Sequence, residues 1–203
     1  MSVQSPIRLP VSRLLPGSRH TEIKNILPIM LKTSIIISKN INDLQCLVAK
    51  PAQVGRALYT RLAENCGLDL KVIEGKTYDC MNAADFCMVA SGTATLESAI
   101  SGTPLIVLYK TSLFTYLLAK TLVKIPNIGM VNIVAEKKIV PEFIQSEAKP
   151  ERIAREMERI LTDEGEYERI KNDLTRVRDK LGEKGAYHRG AQIVNQMLSQ
   201  VFL

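Results

Sequence analysis

The chain is poor in the residues that most often mark metal, redox and base-stacking sites. Its 203 residues contain no tryptophan, two histidines and four cysteines, and aromatic side chains make up only 5%. The cysteines show no CxxC spacing and neither histidine lies near one in sequence, so we predict no metal site and no cofactor. We interpret the cysteines as buried free thiols in a reducing cytoplasm. With few aromatics and no helix-turn-helix, zinc or RNA-recognition pattern, a nucleic-acid binder is a distant alternative.

Long apolar runs are missing as well. No stretch approaches the ~20 residues that a membrane-spanning helix needs, and the first residues lack the apolar core of a signal peptide. We therefore expect a cytoplasmic protein, peripheral to a membrane at most. The net charge of +6 is spread over both halves of the chain. Such a spread favours an anionic partner without identifying it.

Short apolar runs alternate with helical patterns, which is typical of an α/β protein with a parallel sheet. The predicted strands are residues 11–15, 45–49, 70–73, 86–90, 105–109 and 130–134. The predicted helices between them are residues 20–33, 53–66, 94–101 and 113–124. From residue 150 onward the pattern predicts a helical tail of three amphipathic helices, over residues 151–162, 166–181 and 186–202.

Two of these elements carry residues that do not suit them. Ser12 and Arg13 stand where a buried strand should be apolar. Either this strand lies at an edge of the sheet, or the chain begins where a longer protein would continue upstream. Pro28 lies inside the first helix and is expected to kink or divide it.

The turn after the first strand has features of a phosphate site. Gly17 allows close approach of the backbone, and Ser18 is a natural N-cap of the following helix. Arg19 places a cation at the positive end of the helix dipole, an unfavourable position that a bound anion would explain. The structural alternative is an ordinary surface arginine after an ordinary cap.

A second such turn follows the clearest buried strand. Ser91, Gly92 and Thr93 combine hydroxyls with backbone N–H groups at the carboxyl edge of the sheet, where open α/β sheets bind ligands. If Thr93 caps the helix, Glu97 lies one residue too far along for a capping box and is available to a ligand's hydroxyls. Neither turn is a Walker P-loop or a GxGxxG, which argues against kinases and dinucleotide oxidoreductases.

These turns belong to a set of linked blocks that closely resembles lipid-A-disaccharide synthase. The blocks are LLPGSRHTEI (residues 14–23), ASGTATLE (90–97), GTPLIVLYK (102–110), TYLLAK (115–120) and VPEFIQ (140–145). They occur in the family's order from about residue 14 to the end of the chain, but correspond only to the C-terminal half of that polypeptide. The resemblance implies one half of a GT-B glycosyltransferase, a Rossmann-like parallel sheet flanked by helices. It divides the chain into an irregular segment (1–13), a donor-binding domain (14–149) and C-terminal helices (150–203).

The resemblance also implies a reaction in the biosynthesis of lipid A, a lipid of the Gram-negative outer membrane. UDP-2,3-diacylglucosamine donates its sugar to 2,3-diacylglucosamine 1-phosphate, and UDP is released. Arg19 would stabilise the departing UDP without a metal, and Glu97 would bind the ribose. The other residues implied in donor binding are Gly17, Ser18, Glu22, Ser91, Gly92, Thr93, Thr95 and Asn132. Val131 replaces the proline that precedes Asn132 in the family's pattern.

The general base and the acceptor pocket are expected in the family's N-terminal half, so we expect donor binding but little transferase activity from this chain. His20 and His188 are weaker candidates for the base. Residues 112–124 form either a core helix or one that touches the anionic inner membrane. The last helix either packs on its own sheet or, as in the family, contributes to a homodimer.

Two alternatives remain beside this interpretation. One is another UDP-N-acetylglucosamine-dependent GT-B protein, such as the peptidoglycan glucosaminyltransferase or a 2-epimerase, and the other is a non-catalytic nucleotide-sugar-binding or scaffold module. Residues 74–78 are candidates for the uracil contacts on position alone.

Overall fold

Strands and helices alternate along most of the chain. The computed structural model describes residues 11–41, 43–64, 66–68, 70–82, 84–112, 116, 126–183 and 185–201. The strands are β1 (Val11–Leu15), β2 (Gln45–Lys50), β3 (Leu70–Glu74), β4 (Phe86–Ala90), β5 (Leu105–Tyr109) and β6 (Glu142–Ile144). The helices are α1 (His20–Ile37), α2 (Arg56–Ala63), α3 (Thr77–Asn82), α4 (Ala94–Ser101), α5 (Met130–Ala135), α6 (Pro150–Thr162), α7 (Glu164–Lys180) and α8 (Ala186–Val201).

The described strands form one parallel sheet in the order β3-β2-β1-β4-β5-β6. The chain builds outward from β1 to β3 and then returns to place β4 on the other side of β1. This reversal between β1 and β4 is the point at which such sheets open a crevice for a ligand. β4 is buried along its whole length and β5 over all but its last residue. The predicted α/β class with a parallel sheet is therefore confirmed.

The alternative that places the first strand at an edge is wrong, since β1 pairs with β2 on one side and β4 on the other. Its polar side chains are buried within the fold: Arg13 is 3% exposed and donates from Nη1 to the Asp79 carbonyl at 3.5 Å. The Val11 N–H is bound by the Asp85 carboxylate at 2.8 Å. The carbonyl of Asp79 in α3 thus partly satisfies the Arg13 guanidinium, whereas its Nε and the Ser12 hydroxyl are buried without a hydrogen-bond partner among the described residues.

The segment predicted as the last strand is a helix. Residues 130–134 fall in α5, and the strand that pairs with β5 comes later, as β6. α5 buries the adjacent Val131 and Asn132 but leaves Ile133 47% exposed. A short apolar run does not distinguish a strand from a helical turn, so only packing decides between them.

The expectation that Pro28 divides the first helix is also wrong, because α1 runs unbroken through it. Proline removes the hydrogen bond to the carbonyl of residue 24. Lys24, which carries that carbonyl, lies on the exposed side of α1. The opposite face of α1 buries a long apolar set consisting of Ile23, Ile26, Leu27, Ile29, Met30, Leu31 and Ile37.

The remaining helices agree with the pattern except at their ends. α2 is shorter than predicted, and α3 was not predicted from its six residues. The predicted helix over residues 113–124 lies outside the described residues, apart from residue 116. α6 packs against α1, and α7 packs against α4 and α5, so both helices share the core of the sheet. Every described side chain of α8 is exposed.

Candidate functional site

A cleft opens between the carboxyl ends of β1 and β4, at the reversal of the strand order. Its volume is about 440 Å³. The lining residues are Leu15, Gly17, Ser18, Arg19, Glu22, Ala49, Pro51, Thr77, Ala90, Ser91, Gly92, Thr93, Ala94 and Glu97. Both turns singled out in the sequence therefore meet in one cavity, since β1 and β4 are neighbours and each is followed by a helix.

The first turn is shaped around Gly17. Its φ is +105°, and a Cβ added there would meet the Glu22 Oε2 at 2.5 Å. The Glu22 carboxylate accepts from the Ser18 N–H at 3.3 Å and the Arg19 N–H at 3.4 Å. The N-cap is Arg19, so the expectation that Ser18 caps this helix is wrong by one residue. The carboxylate of Glu22, in the first turn of α1, serves as the cap.

Arg19 lies at the rim of the cavity with its side chain 81% exposed. Its Nη1 is 3.2 Å from the Glu22 Oε1, and this is its only ion pair among the described residues. An exposed pair of this kind contributes only ~0.2–1 kcal/mol. The guanidinium can therefore turn to an incoming anion at little cost.

The second turn begins α4 without a side-chain cap. Its N-cap is Thr93, and Gly92 has a φ of +154°. The Thr95 and Leu96 N–H groups donate to the Gly92 and Thr93 carbonyls at 3.1 and 2.9 Å, which leaves the N–H groups of residues 92–94 beside the cavity. Ser91 is already committed, since its N–H donates to the Leu108 carbonyl at 2.8 Å and its hydroxyl to the Ile128 carbonyl at 2.9 Å. Gly92 and Thr93 are therefore better placed than Ser91 to donate to a ligand here.

Glu97 is the fourth residue of α4, because the helix starts at Ala94. That position excludes the capping-box interpretation, which needs a glutamate at the third. The side chain is half-buried and lines the cavity. A carboxylate oxygen there is suited to accept from ligand hydroxyls.

The structure does not bring every predicted residue into the cavity. Thr95 is buried, and its hydroxyl donates to the Gly92 carbonyl at 2.8 Å. Asn132 is 0% exposed and belongs to a buried network with Glu142. His20 is exposed at the start of α1 and is not among the lining residues. His188 is on α8, where its Nε2 is 3.1 Å from the Gln192 amide nitrogen.

Outside the two turns, two lining residues were not identified from the sequence and a third was named only by its position. Ala49 and Pro51 follow from the carboxyl end of β2, which lies next to β1. Thr77 begins α3, a helix too short to show a periodic pattern. It falls within residues 74–78, proposed on position alone for the uracil. The buried Lys50 joins the carboxyl ends of β2 and β3, with its Nζ 2.9 Å from the Glu74 Oε1.

The cysteines lie in β2, β4, α3 and the loop after α2, and none of them lines the cleft. Cys46, Cys80 and Cys87 are buried and Cys66 is half-buried, all as free thiols. Burial raises the pKa of Cys87 to about 12, although the nearby Arg13 opposes the shift. The thiol therefore stays protonated at neutral pH. Among the described residues, no group of three or more His, Cys, Asp or Glu side chains is arranged to hold a metal.

Within the described part of the chain, no helix has the length and apolarity that crossing a bilayer requires.

Comparison with known sequences places the chain in a family. Residues 4–197 match the family described as lipid-A-disaccharide synthetase. The lipid-A-disaccharide synthase of Syntrophus aciditrophicus (strain SB) is 44% identical over 179 residues, covering 88% of this chain and 47% of that protein. The synthase of Persephonella marina is 41% identical over 189 residues, covering 91% of this chain and 50% of that protein. The chain thus spans about half the length of the curated relatives it matches.

Solved structures of glycosyltransferases share the fold. The calicheamicin glycosyltransferase CalG4 matches with a TM-score of 0.61 at 16% identity, over 98% of this chain and 46% of that one. WaaG, a glycosyltransferase involved in lipopolysaccharide biosynthesis, matches with a TM-score of 0.59 at 13% identity, over 87% and 44%. At these identities the likeness concerns the fold, and it confirms the prediction of one half of a GT-B fold. Together with the family match over residues 4–197, these findings establish that the chain belongs to the lipid-A-disaccharide synthetase family of glycosyltransferases.

Proposed function

We propose that the chain carries the donor-binding site of a lipid-A-disaccharide synthase, with the cleft between β1 and β4 holding the UDP of UDP-2,3-diacylglucosamine. The enzyme would transfer the acylated sugar to 2,3-diacylglucosamine 1-phosphate and release UDP. The observation that carries the proposal is the meeting of two helix N-termini and one exposed guanidinium in a single cavity. The family membership supports it independently.

The diphosphate is the part of the donor that these groups suit best. The starts of α1 and α4 attract an anion through the backbone N–H groups that face the cavity and through the positive ends of the helix dipoles. Arg19 adds a full positive charge and can donate two parallel hydrogen bonds to a phosphate. As the glycosidic bond breaks, negative charge grows on the leaving UDP, and donors already aimed at it lower the barrier.

Of the remaining lining residues, some are assigned to the nucleoside and one, Glu22, to the first phosphate turn. We assign the ribose hydroxyls to Glu97, whose carboxylate accepts hydrogen bonds. The Thr77 edge of the cavity is left for the uracil. Glu22 holds the first turn together, and its position beside the phosphate site makes its charge unfavourable for the ligand.

Transfer to the acceptor needs a base that this cleft does not offer. Among the described lining residues there is no histidine, and the carboxylates are Glu22 and Glu97, each engaged with the donor site. We therefore propose that the base and the acceptor pocket belong to the half of the relatives that this chain does not match. The 203-residue protein alone would bind UDP and form no disaccharide. Disaccharide product from the purified chain would contradict this proposal.

Two further proposals concern the surroundings of the enzyme. Its acylated substrates favour a cytoplasmic protein working at the inner face of the inner membrane. The apolar face of α8 (Ile193, Val194, Met197 and Leu198, all exposed) would support a homodimer. The predicted membrane contact of residues 112–124 falls on a segment outside the described residues, apart from its start and residue 116.

The donor site is tested by calorimetry with UDP, UDP-N-acetylglucosamine and a DNA duplex. We expect heat with both nucleotides and none with DNA. Arg19→Ala should weaken UDP binding by about 10- to 100-fold, the value of a charge-assisted hydrogen bond of ~1.5–3 kcal/mol. Arg61→Ala is the matched control, since Arg61 is an exposed arginine of α2 outside the cavity. Unchanged affinity in Arg19→Ala would overturn the assignment.

A further inference from the structure

A buried carboxylate outside the cavity is connected to it by hydrogen bonds. Glu142, at the start of β6, is 7% exposed, and no lysine or arginine pairs with it among the described residues. Its Oε2 accepts from the Ile128 N–H at 2.9 Å, and its Oε1 accepts from the Gly129 N–H at 2.9 Å. A third donor, the Asn132 Nδ2, reaches Oε1 at 2.8 Å. Three donors thus replace the cation that a buried carboxylate usually requires.

Asn132 is held so that its amide can only point one way. Its Oδ1 accepts from the Ile139 N–H at 2.9 Å and the Val140 N–H at 3.1 Å. Its Nδ2 donates to the Val140 carbonyl as well as to Glu142. Because two backbone donors determine where the oxygen lies, the nitrogen must face the carboxylate.

Gly129 makes room for the carboxylate. A Cβ on this residue would lie 3.0 Å from the Glu142 Oε1 and 3.0 Å from the Val107 Cγ2. Its φ is −75°, so glycine is needed here for space and not for backbone conformation. The carboxylate therefore contacts residues 128 and 129 directly at the backbone.

Ile128 connects Glu142 to Ser91 by hydrogen bonds on both sides. The Ile128 carbonyl accepts from the Ser91 hydroxyl at 2.9 Å, while the Ile128 N–H is bound by Glu142. Ser91 lines the cleft and precedes Gly92, one of the proposed donors to the diphosphate. Glu142 is therefore linked to the second phosphate turn through a single residue, Ile128, beside the bond from the Ser91 N–H to the Leu108 carbonyl.

We propose that Glu142 is a positioning residue for the donor diphosphate, acting through Ile128 on Ser91 and the turn over residues 91–93. This inference rests on the proposed function only for the identity of the ligand. The mechanical link from Glu142 to the turn exists in the protein without nucleotide. The two can therefore be tested separately.

The test replaces the carboxylate by its amide in Glu142→Gln and compares it with Asp173→Asn. The amide has the size of the carboxylate but would turn an NH₂ group toward a backbone N–H. Asp173 is a buried carboxylate of α7 that pairs with Lys137 and is not a lining residue. Both variants should be less stable in urea. We expect only Glu142→Gln to speed amide hydrogen exchange over residues 90–94 without nucleotide and to weaken UDP binding about five- to tenfold.

A double-mutant cycle with Ser91→Ala separates positioning from general loss of stability. If Glu142 acts through Ser91, the double variant should bind UDP hardly more weakly than Ser91→Ala alone. Additive losses would overturn the proposal, as would unchanged exchange over residues 90–94 in Glu142→Gln. If Glu142→Gln does not fold, faster exchange over residues 126–130 in Ser91→Ala supports the link from its other end, and unchanged exchange refutes it. Wild-type protein that binds no UDP would refute the proposed ligand, and the exchange measurements would still decide the link.

Discussion

At the scale of single residues, Gly17 and Glu22 form an interlocked pair at the first phosphate turn. The backbone of Gly17 has a positive φ that L side chains rarely adopt, and the Glu22 carboxylate occupies the space where its Cβ would lie. The carboxylate in turn binds the N–H groups of Ser18 and Arg19. Any side chain at residue 17 therefore disturbs both the conformation of the turn and its cap.

Gly17→Ala should lower the free energy of unfolding by about 1–3 kcal/mol, the usual cost of a strained backbone position, and should weaken UDP binding. Gly55→Ala is the matched control. Gly55 is the N-cap of α2, has a φ of −61°, and nothing lies within 4 Å of its added Cβ. Urea unfolding and calorimetry measure the two effects. An equal loss in both variants would contradict the special demand on Gly17.

Glu22→Gln should strengthen UDP binding. The carboxylate occupies N–H groups and the guanidinium that we assign to the diphosphate, so it both competes with the ligand and repels it. Removing one partially exposed charge is worth ~0.2–1 kcal/mol, or about 1.5- to fivefold in affinity. Glu97→Gln should have the opposite effect, because an amide is a poorer acceptor for ribose hydroxyls. Weaker binding of UDP by Glu22→Gln would contradict this prediction, because the hydrogen bonds by which Glu22 holds the turn would then matter more than its repulsion of the diphosphate.

At the scale of elements, α6 and α7 are joined by a cluster of charged side chains. The Glu166 carboxylate lies 2.6 Å from the Arg169 Nε and 2.8 Å from the Arg159 Nη2. Hydrogen bonds from Arg169, reinforced by those from Arg159 and opposed by burial, lower the pKa of Glu166 to about 2 from an ordinary value of 4.5. The contribution of this group to stability is therefore present above pH 4.5 and is lost as the pH falls toward 2.

Glu166→Gln should accordingly unfold more easily than wild type at neutral pH, and the difference should shrink below pH 4.5 and vanish near pH 2. Urea unfolding followed by circular dichroism between pH 2 and pH 7 measures it. Glu168→Gln is the control, since Glu168 makes one exposed pair with Lys171 and its loss should stay within about 0.5 kcal/mol. A constant difference between wild type and Glu166→Gln at every pH would contradict the electrostatic origin.

Also at this scale, the sequence predicted elements well where one physical signal dominated. β4 and β5 are continuous apolar runs and have the predicted bounds, since burial on both faces leaves no other pattern. β1 has the predicted bounds but lies at the centre of the sheet, because burial of Arg13 depends on partners distant in sequence. The prediction of a strand over residues 130–134 was wrong, because the helix α5 that forms there depends on contacts of Val131 and Asn132 that only the folded chain supplies.

At the scale of the whole molecule, the C-terminal helices differ in what they do for stability. α6 and α7 bury side chains in the common core, whereas α8 exposes every described side chain. An apolar stripe that packs on nothing in the described chain does not contribute to its folding. The same stripe is where self-association would take place.

Truncation after Gly182 should therefore leave the free energy of unfolding within about 0.5 kcal/mol of the full chain, as for other surface changes. Leu174→Ala, which deletes a fully buried side chain of α7, should cost about 2–5 kcal/mol and shows that the assay responds. Sedimentation of the same truncated protein should show less dimer than the full chain. A large loss of stability with no change in association would contradict this description of α8.

The candidate site divides in the same way between sequence and structure. Short blocks such as LLPGSRHTEI and ASGTATLE predicted the two turns, because glycine and small hydroxyl residues at a helix start, with an arginine in the first block, are typical of anion-binding turns. They did not reveal that Ser91 has both donors engaged, that Thr95 and Asn132 lie outside the cleft, or that Glu142 supports the turn. Those facts depend on contacts between residues far apart in the chain.

The scarcity of tryptophan, histidine and long apolar runs argued by itself against metal, base-stacking and membrane-spanning sites. The alternating patterns predicted a parallel α/β fold, and the resemblance of the linked motifs predicted the family and the two phosphate turns. These are local properties, since the period of a strand or helix and the chemistry of a turn depend on residues that are close in sequence. The order of the strands, the central place of β1 and the path from Glu142 to Ser91 were decided only in three dimensions. Burial and hydrogen-bond satisfaction are collective, and a polar residue acquires its partner only when the chain has folded.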